Sequence, residues 1–418
     1  VLAEHDLEHA AAPLDVTRPA ALDLDPLLQR LRLQLGDEVL LDRRVEVHVA
    51  RRLHVRRVGE DRLFILKVLK SSLKGAFIDR VTVTYNVHDS NTSDTNLNEN
   101  NKDLKLTVDL NLQYLIREEL IKFQNIFNSI GSTAILMNSR NGQILSLLSL
   151  PDFDLNERNL LNDKNLINRA TKGVYELGSV FKTFTYASGL NEGLIDPDTE
   201  FKNLEKKISC SKYTIGEYDE KIPSDLTAEQ ILIRSGNIGS IRIAQKVGEE
   251  KFVEFINTLG LLDTIDFDIE EIGKPLKFKW GKCKLATSAY GHGITTTLLQ
   301  LAKGYSIISN GGYEIKPTLV LDEKQNSIKY QQIISEDASK QVNLALRKIV
   351  TTKEGTASFA NIEGYEIAGK TGTAQKSIAG GYSKNKINTF ASIFPASNPK
   401  YVLIINRNDE NSGYYRYF

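Results

Sequence analysis

Three observations predict a layered α+β or α/β domain whose sheet is built from both ends of one long segment. A hairpin pattern lies near residue 140, a helix-rich stretch follows it, and apolar strand patterns return close to the end of the chain. Taking the elements in order, Val81 to Tyr85 alternates apolar and polar residues as a half-exposed strand does, and Asn86 to Asp103 is an Asn-rich stretch with little to bury, hence a linker or exposed loop. Leu104 to Val108 reads as a strand and Leu112 to Phe127 as an amphipathic helix. Ser132 to Met137 and Gln143 to Leu148 then form a hairpin around Asn141-Gly142, a residue pair suited to the positive φ of a tight turn. Thr389 to Phe394 and Tyr401 to Ile405 supply the returning strands, so the helical middle is an insertion between two parts of one sheet.

The chain has 418 residues, enough for two or three units and a sizeable core. Its 53 Lys+Arg balance 53 Asp+Glu, which removes the global field that would draw in nucleic acid or an anionic membrane. Val1 to Arg62 uses a different residue vocabulary from the rest: it lacks Lys, Asn, Ile, Phe, Tyr and Ser, and it holds His5, His9, His48 and His54. Such a change marks either a domain boundary or a foreign segment. Pro26 to Leu35 has a helical pattern there, and Val45, Val47 and Val49 alternate like a strand; the histidines lack metal-ligand spacing. Residues 1–80 are accordingly set apart as an anomalous segment, either the remnant of a further domain or foreign sequence, 81–103 as strand and linker, and 104–418 as the principal domain. The longest apolar run, Leu63 to Leu69, is interrupted by Lys67, and no secretory signal is recognisable. Cys210 and Cys283 lie far apart and outside any C-x-x-C pattern, so the sequence argues for two inert thiols and for neither a zinc site nor a disulfide.

Chemistry concentrates in three places. In Tyr175-Glu-Leu-Gly-Ser-Val-Phe-Lys182, Gly178 turns the chain and Ser179 opens a helical run, with Lys182 three residues on and on the same face. A serine hydroxyl needs an adjacent base, and lysine serves as one only when its pKa is brought down from about 10.4 towards neutrality. The S-x-x-K pattern alone means little, since Ser71/Lys74, Ser209/Lys212, Ser383/Lys386 and Ser397/Lys400 repeat it. The second place is Ser235-Gly236-Asn237, which follows the helix-like Thr227 to Arg234; alone it reads equally as a loop or a helix cap. The third is Lys370-Thr371-Gly372-Thr373, a strand whose lysine and threonines suit a carboxylate and whose glycine admits a close backbone. In this order the three make the active-site signature of serine β-lactamases and penicillin-binding proteins.

From about Leu104 to Tyr415 the sequence resembles the transpeptidase domain of class B penicillin-binding proteins, most closely the division-specific, septal type. Beyond the three motifs the likeness rests on Leu106-Thr-Val-Asp-Leu-Asn-Leu-Gln113, Gly142-Gln-Ile-Leu145, Leu150-Pro-Asp-Phe-Asp154, Asn168-Arg-Ala170, Ala289-Tyr-Gly-His-Gly293, Gln300-Leu-Ala302, Asn310-Gly-Gly312 and Glu354-Gly-Thr356. Gly291-His-Gly293 and Gly380-Gly-Tyr382 look like the proteobacterial versions.

The resemblance implies an α+β fold with an antiparallel sheet flanked by helices and a helical subdomain. It also implies acyl transfer. Ser179 would attack the penultimate D-alanine carbonyl of a peptidoglycan stem peptide, with Lys182 as base, Ser235 as proton relay, Asn237 on the substrate amide and Lys370 as positive charge beside Ser235. Thr371 and Thr373 would bind the terminal carboxylate, and the N–H groups of Ser179 and Thr373 would form the oxyanion hole. Partners implied are stem peptides, β-lactams and other division proteins, at the inner membrane facing the periplasm; neither metal nor cofactor is implied, and no nucleic acid. The family's N-terminal membrane anchor and pedestal are not evident in residues 1–80, and the chain stops at Phe418, short of the family's last segment and terminal helix, so a C-terminally truncated domain is expected. The middle residue of Ser235-Gly-Asn is commonly Ser in the family. A β-lactamase, a D,D-carboxypeptidase and a non-catalytic fragment remain as alternatives; the E-x-x-L-N motif of one major β-lactamase class is missing.

Overall fold

Asp109 starts the first long helix. In the computed structural model, which describes residues 84–85, 104–153, 166–211, 213–276, 281–322, 330–378 and 381–409, the Asp109 carboxylate accepts the backbone N–H of Asn111 at 2.9 Å and of Leu112 at 3.1 Å and so caps helix α1, Leu110–Phe127. Leu112, Ile116, Leu120 and Phe123 recur at helical spacing and are buried, and Asn128 ends the helix with φ 49°. Strands β1 (Ser129–Asn138) and β2 (Ile144–Leu150) follow as the expected hairpin.

The middle of the chain supplies helix α2 (Lys182–Asn191), a small hairpin of β3 (Lys207–Cys210) and β4 (Tyr213–Gly216), and helices α3 (Ala228–Ile233), α4 (Asn237–Val247), α5 (Glu249–Thr258), α6 (Lys284–Ser288), α7 (Leu298–Ser309) and α8 (Glu336–Thr351). Strands β5 (Ala368–Ile378), β6 (Gly381–Phe394) and β7 (Tyr401–Asp409) return at the end. The five long strands form one sheet in the order β5-β6-β7-β1-β2, antiparallel at every step. Antiparallel pairing throughout decides for α+β over α/β. Ile404 of β7 lies opposite Ile135 of β1, which is where the two ends of the domain meet. Consecutive residues Thr133 to Met137 and Val402 to Ile405 are all buried, so both faces of the sheet are covered. Helix α1 packs on β1 and β2, α7 on β1, β6 and β7, and α8 on β5. Strand β5 is left at the edge of the sheet, and the 178–181 turn packs against it.

Helix α2 is the buried axis of the helical part, with every residue from Lys182 to Leu190 inside. The rings of Phe181 and Phe184 meet edge to face at 5.2 Å, and Phe184 meets Tyr305 of α7 at 5.4 Å. The Tyr305 hydroxyl donates to the Val180 carbonyl at 2.8 Å, so the Thr183 hydroxyl, 2.8 Å away, must be the donor to Tyr305. Thr185 donates to the Ala289 carbonyl at 2.7 Å. These buried bonds fix the turn before α2 against α7 and against the 289–293 segment.

One expectation is changed. Cys210 and Cys283 are not free thiols: they form a disulfide with Cα atoms 5.7 Å apart, joining the end of β3 to the residue before α6. A separation of 73 residues carries no local signal of this proximity. Cross-linking a loop of that length is worth about 4 kcal/mol by the chain-entropy count. Reduction, or Cys283→Ser, is therefore expected to lower the unfolding free energy by up to about that amount, measured as a reductant-dependent drop in denaturant midpoint; an unmoved midpoint would show that the bridge adds nothing. The Val81 to Tyr85 strand is described at Thr84–Tyr85, which pairs with Leu104–Lys105. The Pro26–Leu35 helix, the Val45 to Val49 strand, His5, His9, His48, His54, the stretch 86–103 and the last residues to Phe418 lie outside the described residues.

Candidate active site

Gly178 turns the chain with φ 61°, and a 3-10 turn, Gly178–Phe181, runs directly into α2. The Lys182 N–H bonds the Ser179 carbonyl, which puts both residues in one helical turn. Ser179 is half-buried, and among the described residues its hydroxyl makes no hydrogen bond. Backbones clamp this turn from two sides. The Gly178 N–H donates to the Gly291 carbonyl at 3.2 Å, and a β-carbon on Gly291 would stand 2.1 Å from the Gly178 oxygen. A β-carbon on Gly372 of β5 would stand 2.5 Å from the Leu177 oxygen. The sequence assigns Gly372 to close approach of substrate; the structure adds that its near neighbour is the serine turn itself.

Ser235 is presented by the end of α3. Its N–H bonds the Leu232 carbonyl at 3.1 Å and the Gly236 N–H bonds the Ile231 carbonyl at 2.9 Å, the two bonds of a Schellman helix stop. The residue after such a cap is normally glycine because φ is positive, yet here Ser235 sits at φ 58°. A non-glycine residue in this region costs on the order of 1 kcal/mol and needs other contacts to hold it.

Those contacts form the polar centre. Lys182 Nζ bonds the Ser235 carbonyl at 2.5 Å and the Asn237 Oδ1 at 2.7 Å, and lies 3.2 Å from Ser235 Oγ. Lys370 Nζ, from β5, donates to the same Ser235 Oγ at 2.8 Å and to the Thr371 carbonyl at 3.1 Å. Lys182 is 1% exposed, Lys370 0% and Ser235 3%. Burial pushes the Lys182 amine down to about 7, against the opposing attraction of Glu217. A neutral amine has two N–H groups and one lone pair. The Ser235 carbonyl and Asn237 Oδ1 satisfy the two N–H groups, which leaves the lone pair to take a proton.

Lys182 and Lys370 thus meet at the Ser235 hydroxyl, Asn237 joins them through the Lys182 amine, and Ser179 stands one helical turn before Lys182. Asn237 is internally engaged, since its Nδ2 donates to the Gly216 carbonyl at 2.8 Å. On β5 the Thr371 hydroxyl pairs with Thr356 at 3.0 Å and the Thr373 hydroxyl with Asn388 of β6 at 3.1 Å. Among the described residues no group of three or more His, Cys, Asp or Glu side chains is placed to hold a metal ion.

Residues 132–417 match the family model described as penicillin binding protein transpeptidase domain. The chain belongs to this family. Among its relatives, the probable peptidoglycan D,D-transpeptidase PenA of Neisseria flavescens is 30% identical over 323 residues, 76% of this chain and 79% of the relative. The probable peptidoglycan D,D-transpeptidase FtsI of Caulobacter vibrioides is 29% identical over 302 residues, 71% of this chain and 51% of the relative. The chain spans about half the length of several of the curated relatives it matches, the Caulobacter protein included. Its fold is similar to the TP domain of Burkholderia pseudomallei penicillin-binding protein 3, with TM-score 0.65, 24% identity and coverage of 73% of this chain and 88% of that one. It is also similar to penicillin-binding protein 3 of Mycobacterium tuberculosis complexed with aztreonam, with TM-score 0.67, 24% identity and coverage of 74% and 75%.

Within this penicillin-binding transpeptidase domain, Gly236 is the departure from the family's usual serine. Its φ of −64° is open to any residue, and an added β-carbon would meet nothing closer than 3.6 Å, so the position is sterically permissive. Sequence reasoning missed a second group at the serine turn. The Glu176 carboxylate, 8% exposed, accepts from the Tyr382 hydroxyl at 3.0 Å and lies 3.3 Å from His292 Nδ1, and the His292 ring meets that of Tyr382 at 4.9 Å. Tyr382 is the second residue of β6, so this cluster ties the β5–β6 hairpin to the residues just before Ser179. The only sequence signal for it was the family resemblance of Gly291-His-Gly293 and Gly380-Gly-Tyr382. Glu217, Thr356 and Asn388 had no chemical signal of their own, although Thr356 falls in one of the matched stretches.

Proposed function

We propose that this chain carries the catalytic domain of a serine-type peptidoglycan D,D-transpeptidase of the septal kind. The observation that carries the reading is the sharing of Ser235 Oγ by the amines of Lys182 at 3.2 Å and Lys370 at 2.8 Å, one turn of α2 away from Ser179. In the first half-reaction Ser179 Oγ attacks the carbonyl carbon of the penultimate D-alanine, and its proton passes to the Lys182 lone pair. The oxyanion is held by the N–H groups of Ser179 and Thr373, whose backbones run side by side where Gly178 meets Thr373. Collapse breaks the C–N bond; Lys182 returns the proton through the Ser235 hydroxyl to the departing nitrogen, and D-alanine leaves. Lys370 keeps positive charge beside that hydroxyl, and Thr371 and Thr373 take the terminal carboxylate. In the second half-reaction an amine of a neighbouring stem peptide attacks the Ser179 ester, Lys182 accepts the amine proton, and Ser179 leaves with its hydroxyl restored. Asn237 holds the substrate amide, exchanging one of its present internal bonds for it.

β-Lactams present the same carbonyl in a ring, so they acylate Ser179. The Cys210–Cys283 disulfide suits an oxidising compartment and supports the periplasmic face of the inner membrane as the place of work, alongside other division proteins. No helix among the described residues is long and apolar enough to cross a membrane. The test is mass analysis of products from a pentapeptide donor and an amine acceptor, with penicillin adduct mapping alongside. D-Alanine release with cross-linked product and an adduct on Ser179 is the expected result. Trimming with no cross-link would make the enzyme a carboxypeptidase, and sustained nitrocefin hydrolysis would make it a β-lactamase.

A further inference from the structure

Helix α4 begins at Asn237 with no side chain of its own to cap it, because the N-cap position is Gly236. The cap comes from elsewhere in the chain. Glu217, the residue after β4, accepts the Asn237 N–H at 2.6 Å on Oε2 and the Ile238 N–H at 2.8 Å on Oε1. Its neighbour Gly216 accepts from Asn237 Nδ2 at 2.8 Å. The remaining polar atom of the Asn237 side chain, Oδ1, is the one bonded to Lys182 Nζ at 2.7 Å. Two consecutive residues of the small hairpin therefore determine where Asn237 sits, and Asn237 in turn takes one of the two N–H groups of the Lys182 amine. The hairpin is itself fastened at Cys210 by the disulfide to Cys283.

We propose that Glu217 is a positioning residue of the acyl-transfer site: its carboxylate seats the first turn of α4 with both oxygens and, through Asn237, holds the Lys182 amine where it serves Ser179. This rests on the reading of Ser179 as nucleophile and Lys182 as its base. A carboxylate at a helix N-terminus is favoured by the exposed N–H groups and by the helix dipole. It also brings a negative charge to the amine from the β4 side, opposite in sign to Lys370, which approaches from β5 across Ser235 Oγ. Arg234, next to Ser235 in the chain, has its own partner in Glu354 at 3.8 Å. Because a negative neighbour favours the protonated amine, removing it lets Lys182 lose its proton at lower pH. A cap that is only structural would scale the rate equally at every pH.

The experiment follows Ser179 acylation by penicillin against pH in the wild-type chain and in Glu217→Gln and Glu217→Asp. Gln keeps the size and one acceptor but not the charge. Its rising limb is expected to move to lower pH by roughly one unit, with a plateau roughly tenfold lower for the lost hydrogen bond. Asp keeps the charge at shorter reach, so its midpoint stays while its plateau falls. An unmoved midpoint in a Gln variant that melts like the wild type overturns the proposal, as does an equal shift in both variants. Should the Gln variant be too unstable to assay, Asp decides alone, and an undiminished plateau overturns the proposal. A wild-type chain that takes no label on Ser179 overturns the reading of the site and this proposal with it, whereas a labelled wild type beside an unmoved Gln variant overturns this proposal alone.

Discussion

Exchange of Ser179 for Ala is expected to leave a folded chain that forms no covalent penicillin adduct. Removing the Oγ atom takes away the only atom proposed to join the acyl group, so the loss is complete and not a reduction in rate. The fold has little reason to notice. The Ser179 hydroxyl makes no hydrogen bond among the described residues, and the turn is held by the Gly178–Gly291 bond, the buried Val180 and Phe181, and the Tyr305 bond to the Val180 carbonyl. A change of at most about 0.5 kcal/mol in stability is expected for such a site. Gel labelling with fluorescent penicillin, beside a thermal melt, reads both quantities. An adduct that persists in the Ala chain would move the nucleophile elsewhere, with Ser235 the first position to map.

Much of the frame was legible because it is written in local patterns. Helix α1 was found from its apolar spacing, and the β1–β2 hairpin from Asn141-Gly142; the structure moves the start of α1 only to Leu110, where the Asp109 cap sets it. The strands near the end were found but drawn short, because β6 begins at Gly381 in polar residues that pair without alternating. The site was legible in its first members, since Ser179 and Lys182 share a helical turn and Lys370 to Thr373 lie on one strand. What joined them was not. That β5 is the edge strand, that Ser235 occupies the left-handed position of a helix stop, and that Glu217 reaches a helix twenty residues on are facts of tertiary contact, with no period to betray them. The disulfide belongs with these. Its two cysteines are ordinary in sequence and become a pair only once the hairpin folds back on the segment before α6.

Lys182→Ala is expected to slow acylation of Ser179 by roughly 10²- to 10⁴-fold, the usual worth of a positioned general base. The physical case is the amine's environment. It is buried, it lies within about 6 Å of the Lys370 amine through their common partner Ser235 Oγ, and like charges that close disfavour double protonation. Burial brings its pKa to about 7. The base form is therefore scarce in acid and abundant in mild alkali: wild-type acylation should rise about tenfold per pH unit below 7 and level off above it. The Ala variant should lose that limb as well as the rate. It also leaves the Ser235 carbonyl and Asn237 Oδ1 without their donor, a cost of about 1–3 kcal/mol where these groups stay dry, so Lys182→Met, which keeps the side chain's length, separates chemistry from stability. Stopped acylation by a reporter β-lactam, followed from pH 5 to 9 in all three chains, gives the rates. If the Met chain acylates near the wild-type rate with the same rise through neutrality, the proton leaves Ser179 by another route, and the amine at the end of this buried turn is there to hold Ser235 and not to activate its neighbour.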